Sequence, residues 1–158
     1  MDKKKVIKVS LMITGVAIVL AGSFAYYLFN QPHRDVQATK TDFVVESSEI
    51  VNEFLSNATL ANEKYLDSEG ESKIIETTGY IFEISEDFNN NKVMILKSEN
   101  DKAGVSCTFT PETNNNTSSF KIGDKISIKG VIRSGASYDS DLSMYEDVIM
   151  EKCDVISK

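Results

Sequence analysis

The side chains that carry most acid–base, nucleophilic and metal chemistry are scarce in this sequence. One histidine, His33, and two cysteines, Cys107 and Cys153, occur among 158 residues. A Ser-His-Asp or Cys-His centre needs its histidine beside the nucleophile in the folded domain, whereas His33 lies in a polar segment ahead of that domain. The sequence therefore predicts a protein that has no catalytic residues and is not an enzyme.

An asparagine-rich segment has only part of the spacing of a calcium loop. Asp87, Asn89 and Asn91 match the first three ligand positions of an EF-hand loop. The glycine and the glutamate that such a loop needs at its sixth and twelfth positions are replaced by Lys92 and Ser98. A hairpin turn explains the asparagines without a metal ion, so we predict neither a metal nor another cofactor.

The N-terminal region has the composition of a signal anchor. Lysines within the first eight residues precede 21 uncharged residues, 9–29, and a helix of that length spans roughly 31 Å of bilayer. The lysines predict a cytoplasmic N-terminus and an extracytoplasmic C-terminal domain at the cell envelope. Aromatic residues end the run and suit the outer interface of the bilayer, which favours a transmembrane anchor. The alternative is a signal peptide cleaved near residues 23–25, where small residues occur.

The chain after the apolar run is strongly acidic. Residues 31–158 carry 13 basic and 23 acidic side chains, a formal charge of −10, against −7 for the whole chain. Phosphate backbones and anionic lipid head groups repel such a domain. The composition therefore favours a protein or glycan partner over nucleic acid, and it leaves the contact with the bilayer to residues 9–29.

The remaining pattern predicts a stalk, one helix and a β-rich domain. We assign residues 1–8 to a cytoplasmic basic segment, 30–46 to a polar stalk, 47–66 to a helix and 71–158 to the β domain. Apolar residues recur at helical spacing between positions 50 and 65, and a stripe of this kind needs a partner surface. We expect the helix to pack on the β domain.

Segments with strand patterns divide the β domain into five: residues 73–85, 92–97, 105–109, 125–133 and 147–156. The fourth is the clearest, because Ile126, Ile128 and Ile132 alternate with polar residues. Gly79 in the long first strand predicts a bulge or sharp bend. The sequence thus predicts a mainly β (α+β) fold, a five-stranded OB-fold barrel preceded by one amphipathic helix and an N-terminal transmembrane helix.

Short motifs along residues 54–155 support a family resemblance. They are Asn57, Ala61 and Tyr65, then Thr77-x-Gly79-x-Ile81, Cys107-x-Phe109, Gly123-Asp124-x-Ile126-x-Ile128-x-Gly130, and Cys153 two residues before Val155. With these motifs the chain resembles the tRNA-anti-like family, a group of exported bacterial OB-fold proteins. The resemblance implies an OB-fold and an exported protein, and it implies no particular activity.

The two cysteines are candidates for a disulfide. The third and fifth strands of an OB-fold barrel are neighbours, so this fold places Cys107 and Cys153 on adjacent strands. Export exposes them to oxidising conditions. A bridge would close 46 residues, which the chain-entropy model values at about 4 kcal/mol. The alternative is a pair of buried thiols, because free cysteine behaves as a small apolar residue in protein cores.

Analogy with other OB-folds also selects a ligand face. These folds bind ligands near the loops that join strands one and two and strands four and five, here residues 86–91 and 134–146. The candidate residues are Tyr80, Phe82, Arg133, Tyr138 and Tyr145. Exposed rings would stack on bases or sugars and indicate a module that binds an envelope oligosaccharide, peptide or protein. Rings buried by the helix would indicate a structural or interaction subunit of a membrane-protein assembly.

Overall fold

A computed structural model describes residues 3–30, 35–67 and 72–157, which belong to two compact units, residues 1–34 and 35–158. The first unit contains helix α1, Lys3–Phe29. In the described part of the chain, α1 is the one helix whose length and composition would let it cross a membrane. None of its residues from Met12 to Phe29 is buried. His33 lies outside the described residues.

The second unit is a β-barrel with two short helices at its beginning. Its strands are β1 Phe43–Glu46, β2 Ile74–Glu86, β3 Lys92–Leu96, β4 Val105–Phe109, β5 Lys125–Ser134, β6 Ser137–Asp139, β7 Met144–Glu146 and β8 Val148–Ser157. Its α-helices are α2 Ser47–Ser56 and α3 Ala58–Tyr65, and a 3-10 turn covers Asn114–Thr117.

Five of the strands close into a barrel in the order β2-β3-β4-β8-β5, and β5 returns to β2. The parallel pair is β4 with β8, and the other neighbours within the barrel are antiparallel. Ile126, Ile128 and Ile132 of β5 are buried in the interior, as their alternation predicts. The predicted mainly β fold, with a five-stranded barrel behind a helical segment, is confirmed.

The predicted single helix over residues 47–66 is divided into α2 and α3. The division falls at Asn57, whose backbone leaves the helical region with φ −154° and ψ 88°. The Asn57 side chain accepts a hydrogen bond from the Leu60 amide at 3.2 Å, so it caps the second helix. The apolar stripe lies against the barrel as expected; the buried residues are Ile50, Val51, Phe54, Ala61 and Tyr65.

Most of the segment predicted as a stalk belongs to the barrel unit. Strand β1 pairs with β2 in parallel. Val36 is buried against Ile74 and Val131 on the outside of the barrel. The Gln37 side chain donates hydrogen bonds to two main-chain carbonyls, one on β5 at 3.3 Å and one on β8 at 2.8 Å. These contacts depend on the tertiary fold, so the local sequence pattern could not reveal them.

Gly79 has a different role from the predicted bulge. A Cβ atom at this position would lie 2.9 Å from the Ser47 Cβ and 3.1 Å from the Leu96 Cβ. Glycine is therefore needed because the first turn of α2 approaches β2 closely. The irregular register of β2 lies a few residues later, between Ile81 and Glu83.

Candidate functional site

Tyr80 and Phe82 lie on the outer face of β2, on either side of the buried Ile81. Residues two apart in a strand point to the same face, and these two rings are 50% and 54% exposed. β2 changes its partner at this point, because Tyr80 pairs with Lys125 of β5 and Ile81 pairs with Leu96 of β3. The change of partner therefore leaves both rings beside a break between neighbouring strands.

An open cavity of about 550 Å³ lies beside these rings. Its lining comes from β2, from the loop after β3 and from the turn before β5, and includes Tyr80, Phe82, Lys97, Ser98, Glu99, Asn100 and Ile122. The volume lies within the range of small-molecule sites, and an apolar lining with a few polar groups is typical of them. The Ile122 side chain is largely exposed, which extends the apolar surface.

Two lysines lie against the exposed rings of this cavity. The Lys97 Nζ is 5.6 Å from the centroid of the Phe82 ring, and the Lys125 Nζ is 5.7 Å from that of Tyr80. At this distance an ammonium group interacts favourably with the face of an aromatic ring. Lys125 also reaches the Glu46 carboxylate at 3.5 Å, so its charge is partly neutralised.

A second aromatic pair lies on the β6–β7 hairpin. Tyr138 and Tyr145 are directly paired across this hairpin, and their ring centroids are 4.8 Å apart. A cavity of about 370 Å³ separates the hairpin from α2 and from the start of α3, where Phe54, Leu55 and Ala58 line it. The Lys102 Nζ is 5.5 Å from the Tyr145 ring.

One loop, residues 97–104, supplies a lysine to each aromatic pair. The Lys97 Nζ donates a hydrogen bond to the Lys102 carbonyl at 3.4 Å, so the two lysines lie close together. Neither takes part in a salt bridge among the described residues. We use the term aromatic–lysine strip for Tyr80, Phe82, Lys97, Lys102, Tyr138 and Tyr145.

Asp101 holds this loop in place. Its Oδ2 accepts hydrogen bonds from the Ser48 hydroxyl at 2.6 Å and from the Ser98 amide at 2.9 Å. Since Ser48 lies in the first turn of α2, the loop is attached to the helix that packs on the barrel. The loop that carries the two lysines of the strip is therefore held in a defined position, as binding surfaces usually require.

Arg133, the remaining candidate, lies apart from both cavities. Its Nε donates to the Glu151 Oε2 at 2.8 Å, across the β5–β8 pair. The structure thus brings Tyr80 together with Phe82, and Tyr138 together with Tyr145, whereas Arg133 lines neither cavity.

The predicted turn at Asp87 is closed by its own side chain. The Asp87 Oδ1 accepts hydrogen bonds from the Asn89 and Asn91 amides at 2.8 and 2.9 Å. The hydrogen bonds from the Asn91 backbone and side chain are the main cause that lowers the pKa of this carboxyl below its ordinary value of 3.8. Among the residues that the structure describes, no group of three potential metal ligands occurs.

The comparison with protein families decides the classification. The family model tRNA_anti-like matches residues 1–142. This chain belongs to the tRNA_anti-like family. The matched range begins earlier than residues 54–155, on which the sequence resemblance rests, and it ends before β8. It therefore includes the apolar helix α1 as well as the helices and the first four strands of the barrel.

Comparison with solved structures gives one match that supports the fold, the first of the two described next. A "putative nucleic acid-binding lipoprotein" from Klebsiella pneumoniae subsp. pneumoniae MGH 78578 matches with a TM-score of 0.52 and 15% identity, over 80% of this chain and 100% of that one. The asparaginyl-tRNA synthetase of Entamoeba histolytica, bound to asparaginyl-adenylate, matches with a TM-score of 0.38 and 14% identity, over 54% and 21% of the two chains. At these identities the likeness to the lipoprotein concerns the fold alone. No curated protein sequence matches the chain.

Two parts of the aromatic–lysine strip were not predicted from the sequence: the β6–β7 hairpin and the two lysines. The sequence predicts a loop where the structure has the β6–β7 hairpin. The turn-forming segment Asp-Ser-Asp-Leu-Ser between Tyr138 and Tyr145 is a pattern that could have indicated this hairpin. The positions of Lys97 and Lys102 had no such signal, because their direction depends on the hydrogen bonds of Asp101.

Proposed function

We propose that the protein is a single-pass membrane protein whose barrel, outside the cytoplasm, is a non-catalytic binding module for a ligand of the cell envelope. The observation that carries the proposal is the exposure of Tyr80 and Phe82 beside a cavity of about 550 Å³. About half of the surface of each of these residues faces solvent instead of the barrel core. Neighbouring exposed aromatic residues of this kind typically mark a binding surface.

Two observations support export. Helix α1 has the length and composition of a membrane span, and the lysines at positions 3, 4, 5 and 8 favour a cytoplasmic N-terminus. The Klebsiella protein of the same fold is called a lipoprotein, which is an exported class. Since no cysteine lies near the N-terminal helix, we propose that the helix itself holds this protein in the membrane.

The charges near the aromatic–lysine strip favour an oligosaccharide, a peptide or a protein as the ligand. Lys97 and Lys102 are two ammonium groups without a carboxylate partner among the described residues. Glu99 and Asp101 lie in the same loop, and the exported residues carry a formal charge of −10. Such a surface accepts a neutral ligand or one isolated anionic group, and it repels a dense polyanion.

Photocrosslinking in cells tests the proposal, because it captures a ligand whose identity is still open. The full-length protein would carry p-benzoylphenylalanine at position 82 in intact cells of its own species. Position 44 is the matched control, because Val44 on β1 is similarly exposed, lines neither cavity and lies outside the loops 86–91 and 134–146. After irradiation, we expect a covalent adduct by mass spectrometry at position 82 and none at position 44.

The composition of the adduct separates the two classes of function. Loss of the adduct with Tyr80→Ala, together with a glycan or peptide mass, would support a ligand-binding module. Equal yields at positions 82 and 44 would contradict it. Adducts to a single membrane protein that persist with Tyr80→Ala would favour the alternative, a structural or interaction subunit of a membrane-protein assembly.

A further inference from the structure

Cys107 and Cys153 are neighbours inside the barrel, and the proposed function does not use them. Both side chains are fully buried, and both are free thiols in the structure. They lie on the parallel pair β4 and β8, where Cys107 is opposite Met150 and Phe109 is opposite Cys153. Between these pairs β8 has one extra residue, with Lys152 at a φ of +53°.

With this bulge, both cysteine side chains are buried in the same core cluster, on neighbouring strands of the barrel. Gly130 of β5 makes room for them, because a Cβ atom there would lie 2.7 Å from the Cys153 Sγ. Hence β5, on the other side of β8, leaves room for the Cys153 sulfur.

We propose that Cys107 and Cys153 form a disulfide during export, before β8 completes the barrel, and that the closed barrel then shields it. The proposal rests on the proposed export of the barrel, since the cytoplasm keeps thiols reduced. The covalent bond joins β4, the third barrel strand, to β8, the last one.

The order of events follows from the accessibility of the sulfur atoms. Thiol–disulfide exchange needs a thiolate and direct access to it. In the closed barrel, burial raises the pKa of Cys153 well above its ordinary value, and the neighbouring Cys107 raises it further. The folded Cys153 is therefore a poor nucleophile, and both sulfur atoms are out of reach of an oxidant in the closed barrel, so the reaction has to precede the docking of β8.

The oxidant in this scheme is the disulfide of an exported dithiol–disulfide oxidoreductase. The thiolate of one cysteine attacks this disulfide, which gives a mixed disulfide and releases one oxidoreductase thiol. The thiolate of the second cysteine then displaces the other oxidoreductase sulfur. The chain loses two protons and two electrons, its S–S bond forms, and the oxidoreductase is left as a dithiol.

Thiol counting on the full-length protein tests the proposal. Cells that produce the protein are quenched with acid, which stops thiol exchange. The protein is then denatured and treated with a polyethylene-glycol maleimide, and each free thiol that reacts shifts the gel band once. We expect no shift in the unreduced sample and a double shift after reduction. Cys107→Ser and Cys153→Ser, each with one unpaired thiol, should shift once without reduction.

A thermal melt gives an independent readout. Closure of 46 residues should raise the Tm of the oxidised protein above that of the reduced one by about 10 °C. A double shift of the unreduced wild-type protein would overturn the bridge. So would equal Tm values for the two forms.

A separate reporter distinguishes failure of export from failure of the bridge. In a Cys107→Ser/Cys153→Ser chain, Phe88→Cys places one thiol at a fully exposed turn. A membrane-impermeant maleimide should label this thiol on intact cells. If it does, and the wild-type thiols are free, the bridge alone is wrong. If the reporter stays unlabelled, the proposed export is wrong, and the bridge falls with it.

Discussion

Gly130 leaves the space in the barrel interior that the Cys153 sulfur occupies. Gly130 faces Cys153, and an alanine at this position would place its Cβ 2.7 Å from the Sγ and 3.0 Å from the Glu151 carbonyl oxygen. We therefore expect Gly130→Ala to lower the free energy of unfolding by about 1–3 kcal/mol, as overpacked cores do. Urea denaturation of the reduced protein measures this change.

A Cys153→Ala background shows which contact causes the destabilisation by Gly130→Ala. In a Cys153→Ala background, the sulfur atom is gone, so Gly130→Ala should cost less than in the wild-type background. An equal cost in both backgrounds would assign the strain to the carbonyl of Glu151 instead. Both proteins are kept reduced, which removes any contribution from a disulfide.

Asp87 gives a second residue-scale prediction, on pH. Hydrogen bonds from Asn91 and Asn89 hold the pKa of its carboxyl below 3.8 in the folded hairpin. Because the folded pKa is the lower one, this contribution to stability is fully present above about pH 3.8, the unfolded value. It is lost as the pH falls through the folded pKa.

The measurement is an NMR titration of the Asn91 amide, which donates to the Asp87 Oδ1 at 2.9 Å. We expect its chemical shift and its protection from exchange to change below pH 3.8. The Asp87→Asn variant keeps an acceptor oxygen but cannot ionise, so its titration curve should lack this step. An identical curve for both proteins would contradict the assignment to Asp87.

At the scale of elements, α2 and α3 are separate helices because Asn57 caps the second one. Replacement of Asn57 by alanine removes the acceptor for the Leu60 amide and should cost about 0.5–2 kcal/mol of stability. Asn57→Asp keeps a capping oxygen and is the matched control. Chemical denaturation of both variants tests the cap. A more stable Asn57→Ala protein would mean that a continuous helix is preferred there.

The barrel strands could be predicted from the sequence because their signals are local. Alternation in β4 and β5, turn residues around β2 and β3, and the apolar residues that begin and end β8 place the strand ends within one residue of the observed ones. The division at Asn57 could not be predicted, because an asparagine within an apolar stripe has the same local pattern whether it caps a helix or lies inside one.

Elements that depend on a distant partner were not predictable in this way. Strand β1 exists through its parallel pairing with β2, and Val36 is buried only because β2 and β5 lie beneath it. The exposure of Tyr80 and Phe82 likewise depends on the change of partner along β2. The sequence selected these two rings as candidates, and it left open whether a helix covers them.

At the scale of the whole molecule, fold and charge point to different ligands. OB-folds that bind single strands combine stacking platforms with a basic groove, and the aromatic–lysine strip supplies only the first of these in full. Its two unpaired lysines, Lys97 and Lys102, share a loop with Glu99 and Asp101, in a domain of formal charge −10. The Klebsiella protein has this fold at 15% identity, so its description as nucleic acid-binding does not fix the surface charge here.

We therefore expect no binding of oligo(dT) or tRNA tighter than about 10⁻⁴ M near physiological salt, which is the non-specific range. Stacking contributes roughly 1–3 kcal/mol per base, and this cannot overcome the missing phosphate contacts. Fluorescence titration of the full-length protein in lipid nanodiscs measures the affinity. Glu99→Lys is the sensitivity control, because an added cation beside the strip should strengthen binding in a salt-dependent way. A micromolar Kd for the unaltered protein would contradict the prediction and make the strip a single-strand binding site.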